Sequence, residues 1–169
     1  DVVQHTGTPR GSLSHHFPGG KQQMLEEAIH HAAESVAVPL AALMQEQGAL
    51  AGLRSFVGWW RRVLERSNFE AGCPVLAVAV EPAADADGEP SAVRLRELAH
   101  AAFERWQAIL CEALRREGVP AARARRLAAL VVAAIEGTVA MCRAERSVRP
   151  LEEVRQELEA VIGAALVKP

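Results

Sequence analysis

Between its Pro, Gly and polar clusters, nearly every segment of this chain repeats apolar residues at three- and four-residue intervals, the period of an α-helix. Residues 1–6 read as the end of a helix closed by Gly7. A short helix follows, with Thr8 as N-cap, Pro9 at the first helical position and a stop at Phe17-Pro18-Gly19-Gly20. From Lys21 to about Gln47, Leu25, Ala28, Ile29, Ala32, Val36, Leu40 and Leu43 form one stripe, in which Pro39 predicts a kink or break. Leu50, Leu53, Val57, Trp60 and Leu64 keep the period in the next helix, and Phe56, Trp59 and Val63 widen its apolar face. The run Cys73–Val80 has the Val content of a buried strand, but no second strand candidate exists to pair with it. A short buried helix beginning at Pro74 fits better. After a loop over 82–90, a long helix runs from about Ser91 to Glu117 and is ended by Gly118 and Pro120. Two helices, about 121–146 and 151–167, complete an all-α fold.

Composition changes this picture in few places. The chain has 169 residues, half of them apolar and a quarter charged, which is ordinary for a globular protein. Its net charge of -2 excludes a generally basic nucleic-acid coat. Residues 2–25, however, contain no Asp or Glu, while they hold Arg10, Lys21 and three of the six histidines. Any anion-binding function belongs at that end. Cys73, Cys111 and Cys142 are odd in number and widely spaced, forming neither a disulfide framework nor a zinc ribbon. They read as small buried hydrophobes in a reducing cytoplasm. The longest apolar stretch, Leu127–Cys142, is short and carries Glu136, so neither a signal peptide nor a membrane span is expected.

The most informative stretch is Gly7–Lys21: a turn, a two-turn helix, and a second helix start with a cation beside it. A short helix with small polar residues and one Arg can enter a major groove, where Arg takes guanine bidentately and hydroxyls reach bases or phosphates. Backbone N–H groups at the helix start after Gly20, with Lys21, suit a phosphate. The recognition-helix pattern, the His16-Phe17 pair, the short turn and Lys21 together resemble the TetR family of bacterial transcriptional regulators across Asp1–Leu25. Taken as that family's motif, the chain begins mid-helix and lacks the first helix of its DNA-binding domain. The resemblance implies a partial helix-turn-helix domain over 1–21 and a ligand-binding and dimerisation domain over 22–169. It implies that Thr8, Pro9, Arg10, Ser12, Ser14, His15, His16 and Lys21 face an operator in double-stranded DNA, with Leu13 and Phe17 in the core. Ser14 departs from the family, which usually has a Tyr touching the DNA backbone there. The competing reading is an ordinary corner between bundle helices, with His15 and His16 as solvated surface residues.

Farther along, Gly72-Cys73-Pro74-Val75 and the apolar run after it resemble the LmrA-like subgroup of the same family. The family's last two long helices pack against a twofold mate, implying a homodimer. Helix 121–146 is apolar almost all round between Leu127 and Cys142, with small residues that permit close helix approach. The final helix gathers Leu151, Val154, Leu158, Val161, Ile162 and Ala165 on one face, and a twofold interface would bury both helices. Glu136 invites a ligand-contact reading, but it lines up with Arg125 and Arg143, which favours a solvated polar edge. Phe56, Trp59, Trp60, Phe103 and Trp106 could wall a pocket for a small, flat, mostly apolar effector, although aromatics at helical spacing are more often plain core.

Two rival classes remain in view. Glu27/His30 and Glu97/His100 have the Glu-x-x-His spacing of di-iron bundles. Yet each pair lies roughly 140–200° from its helix's apolar stripe, toward water. No P-loop, EF-hand or catalytic constellation is present, so neither an enzyme nor a cofactor is expected. The other rival is a helical ligand-binding or interaction protein without DNA binding. The reading carried forward is a ligand-responsive, DNA-binding repressor.

Overall fold

The computed structural model describes residues 15–81 and 90–167, and five helices lie wholly within them. They are α1 (Gly20–Arg66), α2 (Pro74–Val80), α3 (Pro90–Arg116), α4 (Ala121–Glu145) and α5 (Arg149–Leu166). No strand occurs among the described residues.

The stripe from Ile29 to Met44 and the stripe from Leu53 to Leu64 belong to two segments of α1, and the break between them is Gly48. There φ is +79° and ψ is -178°, a conformation open to glycine and strained for any residue with a Cβ. The expected kink at Pro39 does not occur; the helix runs through it with helical dihedrals. Pro39 deprives the Ser35 carbonyl of its partner, but Ser35 sits on the exposed side, where water replaces the lost donor. The break needs a contribution from α3 instead. Arg116 Nη2 donates to the Met44 carbonyl (3.1 Å), and the Glu117 carboxylate accepts from the Ala49 N–H. Opposite charges thus meet opposite helix ends, each favoured by the helix dipole.

The core lies where α3, α4 and the two segments of α1 meet, with Leu40, Met44, Leu53, Leu64, Trp106, Leu114 and Val131 at its centre. Trp106 Nε1 donates to the Ala33 carbonyl (3.1 Å), fixing the register of α3 on α1. Gly118, at φ +93°, ends α3 with the Gly118 N–H on Arg115 O and the Val119 N–H on Leu114 O, as the Gly118–Pro120 stop predicts. The Val-rich run is the short helix α2, with the Cys73 Sγ accepting the Leu76 N–H at 3.5 Å.

Leu151, Leu158 and Ile162 of α5 are buried in the chain's own core, so the stripe expected to meet a partner is already covered. Arg54–Glu159 and Arg61–Glu152 join α1 to α5 across the surface. The guanidinium of Arg54 holds the Glu159 carboxyl below the usual carboxylate range, but such exposed pairs add little stability. On α4 two faces separate. Leu127, Val131, Ile135, Val139 and Cys142 enter the core, whereas Ala129, Leu130, Ala133, Gly137, Ala140 and Met141 face outward. Helices α1 and α4 each hold an 18-residue stretch long and apolar enough to cross a membrane. That apolarity is accounted for by the core on one side and the small-residue face of α4 on the other.

Candidate DNA-contact face and effector cavity

Two places carry chemistry, one at the start of the first segment of α1 and one farther along it. At its start, His15 and His16 are the last helical residues before the turn, and both are exposed. Phe17 is half-buried, and its carbonyl accepts the Gly20 N–H at 2.8 Å to close the turn. Gln23 reaches back to accept the Gly19 N–H (2.8 Å). The first turn of α1 contains no acidic residue, and Lys21 stands exposed on it. The nearest carboxylates on the helix, Glu26 and Glu27, accept hydrogen bonds from Gln22 and Gln23. An uncompensated positive helix end beside a lysine and two imidazoles attracts anions. Thr8, Pro9, Arg10, Ser12 and Ser14 lie outside the described residues. The expected boundary after residue 21 falls inside α1, two residues past its start at Gly20.

About two-thirds of the way along the same segment, Val36 and Leu40 form one wall of a cavity of about 10 Å³, the room of a single water. Phe56 from the second segment and Trp106 and Leu110 from α3 form the next walls. Helix α4 closes it with Val131, Val132, Ile135 and Glu136. Of the five aromatics singled out from sequence, Phe56 and Trp106 therefore reach this space. Phe103 is half-buried and packs edge-on against Trp106 at 5.4 Å. Trp59 stacks on Phe56 at 5.5 Å and faces an open outer groove beside Pro39, Leu43 and Arg62. Trp60 is buried away from the cavity lining, its Nε1 without a partner.

Glu136 corrects the expectation of a solvated edge: it is 5% exposed and lines the cavity. Arg125 and Arg143, at the same helical angle, are exposed as expected. Arg143 itself lies over Gly72, close enough that a Cβ there would meet its Nη1 at 2.7 Å. Burial pushes the Glu136 carboxyl up to about 7, opposed only by a hydrogen bond from the Cys73 thiol. The thiol is in turn raised to about 12, chiefly by burial and next by the adjacent carboxylate. Thr138, the other buried polar side chain among the described residues, donates to the Ala134 carbonyl, whereas Glu136 Oε2 has no partner. The sequence did carry a signal for Glu136, a lone acid inside an apolar stretch, but helical angle outweighed it.

Metal chemistry finds no footing among the described residues. Glu27, His30, Glu97 and His100 are all exposed, and no three His, Cys, Asp or Glu side chains converge.

Residues 49–157 match the family model of the transcriptional regulator LmrA/YxaF-like C-terminal domain. An HTH-type transcriptional regulator of Mycobacterium tuberculosis strain H37Rv is 37% identical over 166 residues, covering 98% of this chain and 84% of the relative. The HTH-type transcriptional regulator LmrA of Bacillus subtilis is 30% identical over 151 residues, or 89% of this chain and 77% of LmrA. In three dimensions the regulatory protein TetR from Rhodobacter sphaeroides superposes with a TM-score of 0.81 at 20% identity, over 95% of this chain and 85% of that one.

Proposed function

Because the chain belongs to the TetR family of transcriptional regulators, in its LmrA/YxaF-like branch, we propose that it is a homodimeric repressor that leaves its operator when a small, mostly apolar effector enters the cavity beside Glu136. Regulators of this family bind duplex operators and dimerise, and they are not enzymes. The single observation that carries the ligand-responsive part is that one helical segment spans both places. Lys21 lies at its DNA-side end, Val36 and Leu40 line the cavity, and Gly48 breaks the helix just beyond.

Leu40 is 19 residues from Lys21, roughly 28 Å along the axis. A ligand larger than one water must push Val36 and Leu40 away from α3 and α4. Pivoting at Gly48, 27 residues or roughly 40 Å from Lys21, a tilt of about 5° then moves the DNA-side end by roughly 3–4 Å. In a twofold dimer both recognition helices move, while the half-sites stay about 34–36 Å apart, so simultaneous docking is lost. On the DNA side, Thr8, Pro9, Arg10, Ser12, Ser14, His15, His16 and Lys21 contact the operator, Arg10 by base readout and Lys21 through a phosphate. On the other side, the dimer forms through α4 and α5. Leu130, Ala133, Gly137, Ala140 and Met141 of α4 are exposed, as are Ala160 and Ala164 of α5. A Cβ at Gly137 or Gly163 would meet nothing within 4 Å, leaving room for a second copy's helices.

The test is operator binding followed by fluorescence anisotropy on the DNA flanking the gene, titrated with salt and with a panel of apolar small molecules. A salt-dependent affinity that falls when a compound quenches tryptophan emission supports the reading. Absence of salt-dependent duplex binding overturns it in favour of a helical ligand-binding protein.

A further inference from the structure

We propose that the effector carries a protonated nitrogen on an apolar body, and that the Glu136 carboxylate is its counter-ion. This inference rests on the cavity's being the effector site. Glu136 Oε2 is buried and has no hydrogen-bond partner, although the residue lines the cavity. An unpaired buried acceptor costs folding energy, so the chain carries it at a loss unless something arrives to use it. Glutamine would fill the same space without a charge to desolvate. Among the described residues the polar neighbour of the carboxylate is the Cys73 thiol, a weak donor.

The surroundings select among ligands by exclusion. Among the described residues no Lys, Arg or His lines the cavity, and the titratable side chain that meets Glu136 is Cys73 from the start of α2. An anionic effector would face an acid with no compensating cation. A sugar or nucleotide would lose its hydration against Val36, Leu40, Ile135 and Phe56 and find one acceptor in return. A cationic nitrogen meets a carboxylate in a low-dielectric site, where a single charge pair is worth far more than in water. The rings of Phe56 and Trp106 bound the same space and attract cations through their faces. The carboxyl's raised affinity for its proton expresses the same imbalance, since the buried charge lacks a positive neighbour. An arriving ammonium supplies that neighbour and expels the proton.

Three probes sharing one ring system separate the possibilities: 1-naphthylmethylamine, 1-naphthylmethanol and 1-naphthoic acid, each titrated calorimetrically into the protein and into Glu136→Gln. The amine is expected to bind at least tenfold tighter than the alcohol at pH 8, with the acid weakest. Its affinity should fall as pH drops below about 7, where Glu136 takes up its proton. In Glu136→Gln, a near-isosteric change, the alcohol should bind as before while the amine's advantage and its pH dependence disappear. The proposal is overturned if the alcohol matches the amine, if the preference survives in Glu136→Gln, or if the amine fails to bind at millimolar concentration. The same titrations with operator present keep the two readings apart. An amine that binds through Glu136 yet leaves DNA affinity unchanged upholds the cation site and removes its regulatory role. A neutral compound that releases the operator with equal ease in both proteins does the reverse.

Discussion

Glu117, the first residue after α3, accepts the backbone N–H of Ala49, the residue that restarts α1 after its break. The two are 68 residues apart in sequence, so the bend in the longest helix is held from outside that helix. A Cβ at Gly48 would lie 2.6 Å from the Glu117 Oε1, so a larger residue would push the carboxylate off Ala49. Removing the cap with Glu117→Ala should cost about 1–2 kcal/mol, the range of a lost N-cap. Gly48→Ala should cost roughly 1–3 kcal/mol, since it adds strain at a positive φ to the clash. Urea unfolding followed by circular dichroism measures both; no loss in either variant would show that the bend is set elsewhere.

A second prediction concerns pH. The Glu136 carboxyl is raised from 4.5 to about 7 in the folded protein, so the native state holds this proton more tightly than the unfolded chain. Stability from this group is therefore complete below about pH 4.5, declines as pH rises to about 7, and stays level above it. Each tenfold gain in proton affinity on folding is worth about 1.4 kcal/mol, so the decline should amount to ~3 kcal/mol. The Cys73 thiol stays protonated throughout that window. Glu136→Gln should flatten the profile and melt higher than the unmodified protein at pH 8. A parallel profile in the two proteins would refute the assignment.

The interface can be tested on residues that the chain's own core does not use. Leu130 and Met141 are 46% and 52% exposed, whereas Leu158 is 4% exposed. Light scattering on the unmodified protein should give twice the chain mass of 18.2 kDa. Leu130→Asp or Met141→Asp should yield a folded monomer, because the charge is buried only when the mate arrives. Leu158→Asp should instead unfold the chain by placing an unpaired charge in its core. A dimer undisturbed by both surface changes would move the interface off α4.

On the DNA side, Lys21→Ala should weaken binding to all sequences alike and lower the salt dependence by about one ion per half-site. Arg10→Ala should relax base preference at one position and cost about 1–3 kcal/mol there. Anisotropy across a salt series and a panel of single-base operator variants separates the two. Equal effects on specificity from both would contradict the division of roles.

Helical period alone placed five helices within a few residues of their ends, because the spacing of Leu, Val and Ala and the stops at Gly118 and Pro120 act locally. The family resemblance carried by Gly7–Lys21 could be read for the same reason, since it lies in neighbouring residues, although Gly7–Ser14 fall outside the described residues. Coverage, by contrast, is a property of what packs alongside. Arg125, Glu136 and Arg143 share a helical angle, yet Glu136 alone of the three is buried and lines the cavity. The stripe of α5 is apolar in either fate, and packing placed Leu158 in the chain's own core rather than against a mate. Phe56 and Trp106 differ from Trp59, Trp60 and Phe103 in where the opposing helices leave a gap, not in spacing. Pro39 advertised a bend that a solvated carbonyl absorbed, while Gly48 became one because a carboxylate from α3 was there to cap the restarted helix.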